Sequence, residues 1–276
     1  MSIVVIIVIK TIIKLKILLD AFNFLFINYH PFFNLFLYKK IDIEYINSIS
    51  ISIVNNYFNN KKIYVLCVTN QPEVFETCMN IYGSSKYVKF AIGYNPKIIN
   101  NIPFSKKSFN RNIVKTEYIG EVGLDFKNVN SINREKQLEI FDYISSMAAK
   151  SNKLLNIHCN KAEEETFTIL KKNGNKKVII HWYTGDIKYA EKLIDLGCYF
   201  SINMNMLKNK RTLEIIKRIP KTRLLIESDG PFSKINGKKY EPEGLIDIYS
   251  MLASTIDEAD INKLIFNNFR NLLLIK

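Results

Sequence analysis

Short apolar runs recur along the chain, and most are followed by a segment of helical periodicity. The runs fall near residues 17–20, 63–69, 88–93, 118–123, 154–158, 178–181, 199–202 and 224–229. They are continuous rather than alternating, as strands buried on both faces of a parallel sheet must be. Several of the intervening helices carry clear signals. Residues 133–150 place Leu138, Phe141, Ile144 and Ala148 on one face. Residues 162–172 open with Glu163, Glu164 and Glu165, close with Lys171 and Lys172, and precede Gly174. Acid at the start and base at the end suit the helix dipole, and the glycine suits a stop. Asp186 can cap a helix carrying Ile187, Ala190, Leu193 and Ile194, with Gly197 ending it. Eight strands alternating with helices predict an α/β fold, a (β/α)8 TIM barrel.

The length of 276 residues suits one such barrel, which typically takes roughly 250 residues. A hydrophobic content of 47% excludes general disorder. No internal repeat or long linker interrupts the pattern. The first apolar run, residues 3–9, is soon broken by Lys10, Lys14 and Lys16. It is too short and too charged to span a membrane, and it lacks the basic start and cleavage site of a signal peptide. It reads as an extra strand or an upstream extension over residues 1–15, with the barrel over 16–276; a membrane anchor is the weaker alternative. Residues 22–60 must hold the first helix, yet they are rich in Asn, Phe and β-branched side chains.

Four cysteines without a CxxC pair read as reduced thiols of a cytoplasmic protein. The net charge of +13 suggests an anionic partner such as nucleic acid. The codon bias of an AT-rich genome explains the lysines equally well.

In such barrels the active site forms at the C-terminal ends of the strands. The polar residues at those ends are Glu121 and Asp125 on the fourth run, His158 on the fifth, His181 on the sixth, and Glu227 and Asp229 on the eighth. Glu, His, His and Asp are side chains that bind Zn²⁺, Mn²⁺ or Mg²⁺. Singly, a histidine after an apolar run is more often a satisfied buried group, and an acid at a strand end is often a helix cap. Two of only three histidines falling just past strands makes a divalent metal site the better reading.

The stretch from Ile119 to Phe126, reading IGEVGLDF, resembles the IGE(I/C)GLD(Y/F) motif of TatD-like metal-dependent DNases. Asn156-Ile157-His158-Cys159 is similar to their second motif, His181-Trp182-Tyr183-Thr184-Gly185 to HxFxG, and Leu225 to Phe232 to LLxETDxP(Y/F). Asn268-Phe269-Arg270-Asn271-Leu272-Leu273 resembles the closing NxxRLF. Several motifs in order are far more specific than any one. Tyr64-Val65-Leu66-Cys67-Val68-Thr69-Asn70, with Pro72-Glu73-Val74-Phe75 after it, also resembles the TatD-like subunit of the Qat anti-phage systems. That resemblance implies antiviral defence and partner subunits of a defence complex.

The pattern also breaks. The family opens with an HxH pair within a segment like IDxHxHL. Here the corresponding residues read Leu19-Asp20-Ala21-Phe22-Asn23-Phe24-Leu25, with Phe22 and Phe24 in place of both histidines. The usual GxHP appears as Gly93-Tyr94-Asn95-Pro96. In the family the HxH pair and the last Asp hold one metal, while Glu bridges to a second held by the two later histidines. By that resemblance Glu121, His158 and His181 remain for one ion, and the other would keep only Glu121 and Asp229. Three protein ligands plus water is what a catalytic zinc site needs.

The expected chemistry is hydrolysis of DNA phosphodiesters, with a metal-activated water and Asp229 as general base. Lys161, Tyr183 and Asn95 are candidate substrate contacts, although a solvated Lys161 is equally plausible. Trp182 could stack on a base or pack in the core. Arg134 and Lys136 read as a solvated helix face, and His30 carries little weight. The rival reading is a catalytically impaired barrel that serves as a scaffold in a defence complex. A third, hydrolysis of a small amide or ester, is disfavoured by the basic charge.

Overall fold

The computed structural model describes residues 3–9, 63–83, 85–229, 234–235, 238–239 and 245–276. Eight parallel strands form a ring: β1 (Ile3–Ile9), β2 (Ile63–Thr69), β3 (Val88–Ala91), β4 (Tyr118–Asp125), β5 (Leu154–Asn160), β6 (Val178–His181), β7 (Tyr199–Ile202) and β8 (Leu224–Ile226). Hydrogen bonds join β1-β2-β3 and β4-β5-β6-β7-β8. The two arcs meet where Ile92 N–H donates to Tyr118 O (3.0 Å) and Gly120 N–H to Ile92 O (2.8 Å). At the other seam β1 lies against β8. The (β/α)8 barrel expected from the apolar pattern is the architecture found.

Residues 3–9 are therefore not free of the barrel: β1 pairs with β2 along its whole length, from Ile3 beside Ile63 to Ile9 beside Thr69. The run at residues 17–20, expected to be the first strand, lies outside the described residues, as do Phe22, Phe24 and His30.

The helices follow from their local chemistry. The long helix α3 (Ser131–Lys150) buries Phe141, Ile144 and Ala148, and Asn130 caps it by accepting from Asn133 N. α4 (Glu163–Asn173) stops at Gly174, whose left-handed φ of 68° costs glycine nothing. α5 (Ile187–Asp195) is capped by Asp186, which accepts from Lys188 N. Before them come α1 (Pro72–Tyr82) and α2 (Lys106–Ile113); after them come α6 (Met204–Lys208), α7 (Lys210–Arg218), α8 (Leu245–Ile256) and α9 (Ile261–Leu274). Asn268 explains the polar member of the closing motif: buried on α9, it donates to Lys221 O (2.7 Å) and Leu224 O (2.8 Å), tying that helix to the start of β8.

Two glycines allow the strands to crowd where the polar residues gather. A Cβ at Gly93 would lie 1.8 Å from Thr69 O and 2.5 Å from Glu121 N; one at Gly123 would lie 2.1 Å from His158 O. Any side chain at either place would push β4 away from its neighbours.

Candidate metal centre

β4, β5 and β6 bring Glu121, His158 and His181 to one point at the C-terminal end of the barrel. His158 and His181 are register partners on adjacent strands, and Gly123 of β4 is the partner of His158. All three side chains are buried. Each offers a ligand atom within 4.8 Å of the others, and among the described residues this is the group of His, Cys, Asp and Glu with the geometry to hold an ion. His158 Nδ1 lies 3.0 Å and His181 Nε2 3.4 Å from Glu121 Oε1. Two imidazoles and one carboxylate within that span are a donor set suited to a divalent ion of the zinc or manganese type.

The ring nitrogens turned away from Glu121 are also taken. His158 Nε2 meets Asp125 Oδ2 at 2.8 Å, and His181 Nδ1 meets Glu227 Oε2 at 3.0 Å. A carboxylate on the far nitrogen fixes which nitrogen stays free for a metal and raises its basicity. Glu227 is itself held by Ser201 Oγ (2.5 Å) and Asn203 Nδ2 (2.9 Å). Asp125 accepts from Asn160 Nδ2 (3.2 Å to each oxygen) and from Lys127 N (3.0 Å), and pairs with Lys97 Nζ at 3.3 Å. Gln137 closes on its backbone, accepting from Asp125 N (2.8 Å) and donating to Asp125 O (3.1 Å).

Charge states follow. Burial alone would pull the His181 imidazole down, but Glu227 and Glu121 outweigh it and hold it well above its usual value in the metal-free protein. Burial pushes the Asp125 carboxyl up; hydrogen bonds and charge from His158, with Asn160 and Lys97, bring it down to about 2. A folded value below the unfolded one contributes stability that is present above the unfolded pKa and lost as pH falls through the folded one. Urea unfolding of the metal-free protein should therefore lose about 2 kcal/mol from this group between roughly pH 4 and pH 2. The Asp125→Asn variant should lack that part of the acid limb; an unchanged limb would remove Asp125 from the stabilising network.

Other expected site residues are placed as follows. Asp229 is buried just past β8, with a left-handed φ of 43°, and lies outside the three-residue group. Trp182 (φ 41°) and Lys161 (φ 57°) share that backbone region, so three non-glycine residues at the same barrel end hold a sparsely populated conformation. Lys161 is exposed and lines a cavity of about 430 Å³ together with Asn160, Thr184 and Arg211. Asn95 is buried; its Oδ1 accepts from Lys97 N (2.9 Å) and its own N–H donates to Asn70 O (3.1 Å). Tyr183 corrects the expectation of a substrate contact. It is fully buried, packs edge-on against Phe200 at 5.8 Å and donates its hydroxyl to Asp186 O. No face of its ring is open to a base.

The residues not singled out beforehand are Lys97, Gln137, Asn160, Ser201 and Asn203, together with the partner roles of Asp125 and Glu227. A faint signal existed for those two. Asp125 shares strand parity with Glu121, and Glu227 with Asp229.

Fold and site together define the metal-dependent hydrolase class of (β/α)8 barrels. The family model described as TatD related DNase matches residues 41–274, and the chain belongs to that family. A metal-dependent hydrolase of Buchnera aphidicola is 29% identical over 256 residues, covering 86% of this chain and 94% of that protein. The deoxyribonuclease Tat-D of Schizosaccharomyces pombe is 30% identical over 124 residues, covering 44% and 40%. Among solved structures, a TatD homologue from Escherichia coli superimposes with a TM-score of 0.67 at 18% identity, covering 83% of this chain and 91% of that one. That likeness speaks to the fold.

Proposed function

We propose that the chain is a one-ion phosphodiesterase that hydrolyses DNA and works in anti-phage defence. The convergence of Glu121, His158 and His181 carries this reading. When bound, a divalent ion acts there as a Lewis acid toward a phosphoryl oxygen. The chain's own residues do the rest. Asp125 and Glu227 hold the two imidazoles in the required orientation. Asp229 takes the proton from the attacking water at its carboxylate.

DNA as substrate is supported by the +13 charge and by the deoxyribonuclease name of the fission-yeast relative. The defence role rests on the Qat-like segment from Tyr64 to Phe75, and other subunits of such a complex would be its protein partners. Four buried free thiols suit a cytoplasmic protein. No helix among the described residues is long and apolar enough to cross a membrane.

The histidine count supports one ion rather than two. The chain holds His30, His158 and His181, so no two histidines stand one residue apart to form the family's opening pair. Elemental analysis after loading with Zn²⁺ or Mn²⁺ should give about one ion per chain by that ligand count. Two tightly held ions would overturn the one-ion reading.

A further inference from the structure

Lys97 follows Asn95 and Pro96 in a one-turn 3-10 helix (Pro96–Ile98), on the loop leaving β3. Its backbone is fixed by the Asn95 cap, and Asn95 is fixed in turn by Asn70. Its ammonium lies 3.3 Å from Asp125 Oδ2, the oxygen that also receives His158 Nε2 at 2.8 Å. One carboxylate oxygen thus separates Lys97 from the metal centre.

Asp125 has several partners besides this lysine. His158, both contacts from Asn160 and the Lys127 amide already satisfy its oxygens. Asp125 is 5% exposed, whereas the Lys97 side chain is 54% exposed. An ion pair so open to water adds little to stability. An ammonium has three donors, and Asp125 uses one direction. The lysine is therefore a positive charge beside the site on a fixed backbone, with donors to spare toward solvent.

The site has use for one. Glu121, Asp125, Glu227 and Asp229 are all buried around it, and four carboxylates repel an approaching phosphodiester. A single divalent ion offsets about half of that charge, where a two-ion site would offset all of it. We propose that Lys97 binds a phosphate of the substrate and supplies part of the positive charge that the second ion would supply in a two-ion site. This inference rests on the phosphodiesterase reading above.

Two measurements test it and keep the two readings apart. The first compares Mn²⁺-loaded wild type, Lys97→Ala and Lys97→Arg on the anionic diester bis(p-nitrophenyl) phosphate and on the neutral ester p-nitrophenyl acetate. Lys97→Ala should lower kcat/KM for the diester by about ten- to a hundredfold, the worth of a hydrogen bond to a charged group. It should leave the neutral ester and the metal content unchanged, and Lys97→Arg should restore most of the loss. The second follows a fluorescent single-stranded 12-mer binding to the metal-free proteins as salt rises. Removing one phosphate contact should flatten the logarithmic salt slope by about 0.7, and arginine should restore it.

If both esters fall together, or metal content falls, Lys97 is structural and the proposal fails. An unchanged salt slope, or no binding of the 12-mer by wild type, also overturns it. If wild type hydrolyses no diester while the slope still shifts, the phosphodiesterase reading falls and the phosphate contact stands.

Discussion

His158→Ala is expected to lose metal and hydrolysis together. The imidazole faces Glu121 with Nδ1 and is held from behind by Asp125. Removing it leaves two protein ligands, which rarely hold zinc. Metal affinity should fall by at least about 100-fold, beyond the range seen when only an outer partner is lost. Turnover should fall to the level of the metal-free protein. Competition with a chromogenic chelator gives the affinity, and the unfolding midpoint without metal reports whether the fold survives. Affinity within a few-fold of wild type would move the metal away from Glu121, His158 and His181.

Asp229→Asn is expected to separate binding from chemistry. Asp229 lies outside the three-residue group, so the variant should keep its ion. The amide cannot accept the proton of the attacking water. The kcat should drop by about 10²–10⁴ with little change in KM, the usual worth of a general base. The descending acid limb of the kcat profile should vanish from the residual activity. Loss of the ion in this variant would make Asp229 a ligand; a kcat close to wild type would free it of any role in proton transfer.

Much of this site was legible because it lies on strands whose signals are local. The runs at 118–123, 154–158 and 178–181 became β4, β5 and β6, and the polar residue at each end became a site residue. Asp186 and Gly174 bound their helices as their chemistry demands. The first strand was harder. Residues 3–9 and 17–20 are both apolar runs of strand length, and what places 3–9 in the ring is a partner strand at 63–69, far along the chain. Periodicity carries no such information.

The carboxylates behind the histidines were hidden for a related reason. Glu227 reaches His181 across 46 positions and Asp125 reaches His158 across 33, through strand register alone. Tyr183 was illegible for a similar reason: an aromatic two residues past a site histidine reads alike whether it faces the pocket or the core. The Phe200 ring on the neighbouring strand decides for the core.

The central claim is that Glu121, His158 and His181 still support hydrolysis of DNA. The most direct measurement is cleavage of end-labelled DNA by the purified chain with Zn²⁺, Mn²⁺ or Mg²⁺, beside the His158→Ala protein prepared identically. Cleavage by wild type is expected with at least one of these metals, abolished by EDTA and absent from the variant. Wild-type cleavage no greater than that of His158→Ala with every metal would contradict it, and would leave a barrel whose surviving ligands serve a scaffold.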